Sequence, residues 1–326
     1  MENKKDFSMK IRKFLANDKV GAILIVVVMC LFLIITTEHF LTGRNIMTLL
    51  KQSSFYMIVV MGVLCVFMGG GMDLSTGATM CMSAIMTAML AREELNLPII
   101  VIILAAIVVG LVIGFINGFL IGYLNLPAFI ETLGMSILLG GATLVITEGY
   151  SVNGLSEAFC NMGIGKILDI PIPVIVAVVM CIIMWFVLKK TRYGRHLAAT
   201  GGNEQAAIVS GINTKRVKMF SYMLCSVFAS IGGMLLCARF QSGQLSIGAG
   251  YELNAISAAV IGGASMTGGA GSVIGCVFGT FVLTILTNGL DILHVNAYWQ
   301  NVVQGIVIIF AVLLDVIRHK IKDSIK

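Results

Sequence analysis

The chain has 326 residues, 58% of them hydrophobic and only 12% charged, with a mean hydropathy of +0.98 and a formal charge of +6. Ordinary soluble domains carry roughly twice that charged fraction, so the composition excludes a water-soluble enzyme and indicates an all-α, polytopic transmembrane helical bundle. The basic residues gather at the N-terminus (Lys4, Lys5, Lys10, Arg12, Lys13, Lys19), in a central stretch, and in the tail (Arg318, Lys320, Lys322, Lys326). That pattern marks the cytoplasmic side of a membrane rather than a nucleic-acid surface.

In chain order, residues 1–19 read as a basic, helical cytoplasmic segment. A first span covers 20–37, about eighteen residues and enough to cross roughly 30 Å of hydrocarbon. Its apolar core is longer than that of a signal peptide and no small-residue cleavage site follows, so it is expected to stay uncleaved. Residues 38–54 are mixed and suit an interfacial helix, with Ile46, Leu49 and Leu50 on one side and Arg44 and Lys51 on another. A second span, 55–68, runs into Gly69-Gly70-Gly71 and then Asp73. Three glycines break a helix, and such a break at membrane depth requires protein or a cavity around it. Spans three and four follow at 79–90 and 98–116, separated by Arg92-Glu93-Glu94. Residues 117–127, uncharged and with two glycines, suggest a tight or re-entrant connection.

The fifth span is 128–147, with Glu131 near its start, and the sixth is 170–188; the polar stretch 148–169 between them lies outside. Residues 189–218 form the central basic loop. The seventh span is 219–238, followed by a glycine-rich external segment at 239–251. Residues 252–261 are too short for a full crossing and enter a second glycine break at 262–271. Spans nine and ten are 272–288 and 298–315, with a short external link at 291–297. Ten crossings place both termini and the central loop on one side and leave only Arg44, Lys51, Arg92, Lys166 and Arg239 on the other. The domain layout is then an N-terminal segment (1–19), a membrane domain (20–317) and a cytoplasmic tail (318–326).

The central loop carries Lys189, Lys190, Arg192, Arg195, Lys215, Arg216 and Lys218, with Glu204 its only acid. Asn203 suits an N-cap, 204–210 is helix-compatible, and Gly211 sits where a left-handed stop belongs. So short a helix is unstable alone. It needs a docking surface, either its own membrane domain or a cytosolic partner; the plain alternative is an ordinary positively charged loop. The eight cysteines show no metal or disulfide spacing and read as packing residues, and the four histidines form no cluster.

Polar residues within the spans are the candidates for a translocation path: Asp73, Ser75, Asn117, Thr132, Ser257, Ser265, Thr267 and Asn288. Asp73 either lines a path or caps a helix beginning at Leu74, capping being the preferred reading. Glu131 and Glu252 are gate residues or boundary charges. The 262–271 break either lines a pore or packs helices closely through small residues. Tyr298 and Trp299 suit an aromatic belt facing membrane lipid.

TRYGRHLAATGGNEQAAIVSGINTKRVK, GGGMDLSTGA, AFIETLGMSILLGG, GYELNAISAAVIGGASMTGGAGSVIG and NAYWQNVVQGIVIIFAVLLD together resemble the membrane permeases of bacterial sugar ABC importers, in the ribose, xylose, galactose and autoinducer-2 class. The likeness runs in order from about residue 20 to 315. It implies a subunit without enzymatic activity or cofactor of its own, working as a pair of permease subunits, most simply a homodimer. A tandem nucleotide-binding ATPase would consume ATP and Mg²⁺, and an external binding protein would deliver a ribose-like sugar. The central loop would hold a coupling helix for the ATPase, with Arg192, Gly194, Arg195, Gly201, Gly202, Asn203, Glu204, Ala207, Ser210 and Gly211 as its contact set. The competing class, an ion-coupled secondary transporter, wants ionisable residues at the bilayer midplane, and Asp73 alone is a thin basis for it. An intramembrane enzyme would need a catalytic constellation, and the sequence offers no acid pair, His cluster or nucleophile–base pair.

Overall fold

Two largely buried helices order the rest. In the structure, a computed structural model that describes residues 18–296, 298–310 and 313, they are α2 (Gly43–Met68) and α10 (Thr214–Phe240). Around them stand α1 (Asp18–Thr36), α3 (Thr76–Leu90), α4 (Ile99–Gly122), α5 (Ala128–Thr147), α6 (Glu157–Ile164) and α7 (Ile172–Lys190). The set is completed by α8 (Arg192–Gly202), α9 (Glu204–Val209), α11 (Tyr251–Ile261), α12 (Val273–Ile292) and α13 (Tyr298–Phe310). A two-residue antiparallel hairpin, β1 (Lys166–Ile167) with β2 (Ile170–Pro171), joins α6 to α7.

Six of these helices (α2, α4, α5, α7, α10 and α12) are long and apolar enough to cross a membrane, and α1, α3, α11 and α13 contain shorter apolar helices. Each apolar segment expected from the sequence overlaps one of them, the tenth as far as Phe310. In α2 and α10, 72% of the apolar window is buried, against 28% in α4, α5 and α7. The former make the core; the latter present rows of Ile, Leu, Val and Phe outward, as a lipid-facing wall must. Several buried hydroxyls return to their own helix: Thr87 donates to Ser83 O at 2.6 Å, and Thr280 and Thr284 to Cys276 O and Thr280 O at 2.9 Å, while Ser83 donates across to Ser230 O on α10 at 2.8 Å.

Small residues set the closest approach. On α4, Gly110, Gly114, Gly118 and Gly122 recur every fourth position and face the α10 backbone. A Cβ at Gly114 would lie 2.5 Å from Met223 Cα, and one at Gly118 2.6 Å from Met219 O. This is close helix packing through small residues, which apolar surroundings favour.

Three expectations are corrected. Residues 43–54 are not a separate interfacial helix but the first turns of α2: Thr42 Oγ1 caps Asn45 N, and Ser53 and Ser54 are buried with hydroxyls bonded to Leu50 O and Lys51 O. Residues 117–122 are not a re-entrant connection but the last turn of α4, because Gly118 and Gly122 belong to its packing stripe rather than to a turn. The central stretch is more helical than expected: α8 forms within it, and α10 already begins at Thr214, taking in Lys215, Arg216 and Lys218. The expected lead-in at 1–17, the end of the tenth span and the tail at 318–326 lie outside the described residues.

Candidate functional site

The first glycine break is a compact turn. Gly69 closes α2 with its amide on Cys65 O and Val66 O, and Gly70 turns left-handed at φ +77°. Asp73 follows, fully buried, and accepts from Ser75 N at 2.8 Å and Ser75 Oγ at 2.6 Å. Asn117 on α4 donates through Nδ2 to Ser75 Oγ at 2.9 Å. Three of the sequence-derived path residues are thus one hydrogen-bonded chain, Asn117 to Ser75 to Asp73. Asp73 does not cap a helix starting at Leu74; α3 begins at Thr76, and the carboxylate braces the turn before it. Glu131, in the first turn of α5, is close enough for its charge and that of Asp73 to interact, and neither of its carboxyl oxygens has a hydrogen-bond partner among the described residues. The Asn117 Oδ1 atom is likewise buried without one.

Beyond this latch lies a cavity of about 330 Å³, within the roughly 300–1,000 Å³ of small-molecule sites. Its walls are α3 (Gly77, Ala78, Cys81), α5 (Ser136, Gly140, Thr143, Leu144), the 245–249 loop, and Glu252 of α11. The 245–249 loop reaches α3 backbone to backbone: a Cβ on Gly77 would sit 2.5 Å from Gly248 O, and one on Gly248, left-handed at φ +86°, would sit 2.2 Å from Gly77 O. The eleven residues of α11 span about 16 Å at 1.5 Å per residue, roughly half of a 30 Å hydrocarbon core. Glu252 occupies the first turn of that half-helix, where free amides favour a carboxylate. Ser136 and Thr143 were missed by sequence reasoning; on α5 they share a face with Gly140, a spacing of three and four that the sequence does contain.

A second cavity, about 380 Å³, is an apolar groove between α2, α7 and α12. Its two hydroxyls, Ser53 and Ser54, already donate to carbonyls of their own helix, and the rest of its lining is apolar.

The remaining path candidates do not join either site. Asn288 and Asn45 exchange reciprocal amide bonds at 2.9 and 3.1 Å, tying α12 to α2. Ser257 and Thr132 return to their own helices at Leu253 O and Ala128 O. Ser265 and Thr267 bond each other at 2.9 Å within the second glycine break. Between the two readings of that break, close packing is what the geometry shows, since a Cβ at Gly262 would lie 2.5 Å from Gly275 O.

The central segment is a stack of two short helices. Thr191 caps α8 through Gly194 N, and Gly194 turns so tightly that a Cβ would lie 2.3 Å from Leu188 O. Burial, with the Cys65 thiol beside it, raises the Tyr193 phenol well above its ordinary value, so it is a neutral donor to Val217 O at 3.3 Å. Asn203 Oδ1 accepts from Ala206 N at 3.0 Å, and Gly211 is left-handed at φ +81°, the cap and stop expected for α9. Ala207 is buried, while Arg192, Arg195, Gly202, Asn203, Ser210 and Gly211 are exposed. Glu204 pairs with Lys218 at 2.6 Å. Val209, 89% exposed, and Ile208, 49% exposed, complete an outward apolar tip that sequence reasoning did not single out.

A polytopic helical bundle with a small-residue cavity at a half-helix and a protruding basic helical stack is the build of a membrane permease. The family model "Branched-chain amino acid transport system / permease component" matches residues 45–312, and the chain belongs to that family. It is 38% identical to the ribose import permease protein RbsC of Escherichia coli (strain K12) over 297 residues, 89% of this chain and 92% of that protein. It is 39% identical to the RbsC of Bacillus subtilis (strain 168), over 91% of this chain and 92% of the relative. With the D-allose transport system permease protein AlsC of E. coli K12 it shares 36% identity over 91% of each. No solved structure matches the chain.

Proposed function

We propose that the protein is the membrane-spanning permease subunit of an ATP-driven ABC importer that moves a monosaccharide, most simply a ribose-like pentose, into the cell. The observation that carries this reading is the pairing of a small-walled cavity at the half-helix α11 with an exposed helical stack at 192–211. The names of the relatives, ribose, allose and galactose import permeases, supply the substrate class. The basic stack is the cytoplasmic face, the termini lie on the same side, and the protein sits in the cell membrane. Its partners are a tandem nucleotide-binding ATPase, which uses ATP and Mg²⁺, an external sugar-binding protein and a second copy of the permease. The α8–α9 stack is the ATPase contact. A sugar released by the binding protein would wait beside Ser136, Thr143 and Glu252, where small residues leave room and broken helices offer backbone polarity. Onward passage requires the Asp73–Ser75–Asn117 contact to part.

The test is uptake of labelled monosaccharides by vesicles holding the complete complex. Uptake should require ATP and binding protein and should survive a protonophore. Protonophore-sensitive uptake without ATP would instead establish an ion-coupled transporter.

A further inference from the structure

The two glycine breaks, far apart in sequence, meet at one place, and the end of α8 is wedged between them. A Cβ on Gly201 would lie 2.0 Å from Met68 O and 2.6 Å from Gly269 N. One on Gly268, left-handed at φ +97°, would lie 2.5 Å from Gly201 O, and one on Gly269, at φ +76°, 2.8 Å from Gly202 Cα. Gly269 N donates to Met68 O at 3.1 Å, closing the triangle. One turn earlier on α8, the fully buried Leu197 lies against Gly69. Three segments, 68–70, 201–202 and 268–269, therefore touch backbone on backbone at Met68, Gly201, Gly202, Gly268 and Gly269, and at those contacts no side chain changes rotamer to absorb a displacement.

What the junction joins gives it meaning. The 68–70 segment leads within three residues to Asp73 of the latch, and the 268–269 segment closes the loop that ends the half-helix α11, whose other end carries Glu252 at the cavity. We infer that this glycine junction is the positioning element through which a movement of α8 reaches the Asp73 latch and the α11 half-helix together, so that one input shifts both ends of the cavity. Gly201, Gly268 and Leu197 are its positioning residues; none of them touches the sugar. The inference rests on the permease reading above. It adds a single shared pivot, where two breaks moved by separate contacts would be the alternative.

The experiment uses the whole complex in proteoliposomes and reads the ratio of sugar imported to ATP hydrolysed, alongside assembly of the complex. Leu197→Ala removes atoms from the wedge at a fully buried position outside the expected ATPase-contact set. Gly43→Ala, at a glycine whose Cβ meets nothing within 4 Å, is the control. For Leu197→Ala the complex should assemble and hydrolyse ATP, while the import-to-hydrolysis ratio falls at least tenfold and stimulation by the loaded binding protein is lost; Gly43→Ala should match wild type. Should Leu197→Ala fail to assemble, the smaller truncation Leu197→Val is read in its place, with a fall in the same ratio expected. A wild-type ratio in the assembled variant overturns the inference, even if import and hydrolysis fall together, because that is static packing. Absence of ATP-dependent import in the wild-type complex would instead defeat the permease reading.

Discussion

Asn117 shows how one side chain joins a wall to a latch. It lies inside α4, fully buried, and its carboxamide reaches Ser75, whose hydroxyl is already committed to Asp73. Asn117→Ala removes one buried hydrogen bond and should cost about 1–3 kcal/mol of stability. Asn117→Asp should cost more, because a third carboxylate beside Asp73 and Glu131 has no cation to face. Thermal unfolding of purified protein in detergent checks the order: a midpoint for Asn117→Asp equal to or above that of Asn117→Ala would remove Asn117 from the latch. Ser75 and Asp73 were legible as polar interruptions in an apolar chain. That they join with Asn117, 42 residues on, was not, because nothing local ties α4 to the first break.

At the level of the element, the α8–α9 stack gains its stability from the surface it rests on. Six residues of α9 are far below the length at which a helix holds itself in water; Asn203, Gly211 and the buried Ala207 hold it instead. Its Glu204–Lys218 pair is partly exposed, at 40% and 24%, and such pairs contribute no more than about 1 kcal/mol. Glu204→Lys should therefore leave the fold intact, with thermal unfolding within a few degrees of wild type. It should still lower sugar import several-fold, since it reverses the charge on the proposed ATPase contact. Full import with normal ATPase stimulation in that variant would count against the stack as the contact. The sequence showed the cap, the stop and the basic flanks of this element. It hid α8, whose glycines at 194, 201 and 202 look like loop residues until the backbones they meet are known.

For the molecule as a whole, the lining chemistry argues for a conduit more than a trap. Sugar sites bind through aromatic stacking and several converging polar groups. The cavity offers Ser136, Thr143 and Glu252 among small aliphatic residues and no aromatic ring, while Trp185 lies on the apolar groove and Trp299 is exposed. Calorimetry on the isolated permease should show no pentose or hexose binding tighter than roughly millimolar, about −4 kcal/mol. Micromolar binding would place specificity in this subunit rather than in the external binding protein.

The sequence by itself determined the class of protein and the position of each apolar segment. Hydropathy, charge and helix capping act over a few residues or a few turns, so they are written locally. It also marked where helices must break, at 69–71 and 262–271, and which short helix needs a partner surface. Only the tertiary structure decided which glycines are turns and which are contacts. Gly118 and Gly122 continue a helix because the α10 backbone lies 2.6 and 2.8 Å from where their Cβ atoms would be. Only the tertiary structure set the path residues apart, binding Asp73, Ser75 and Asn117 into a latch and sending Asn288 to Asn45. Only it brought Met68, Gly201 and Gly269 together. A missing side chain reads the same in sequence whether it frees a backbone to turn or lets another backbone approach, and the difference lies in a neighbour far along the chain.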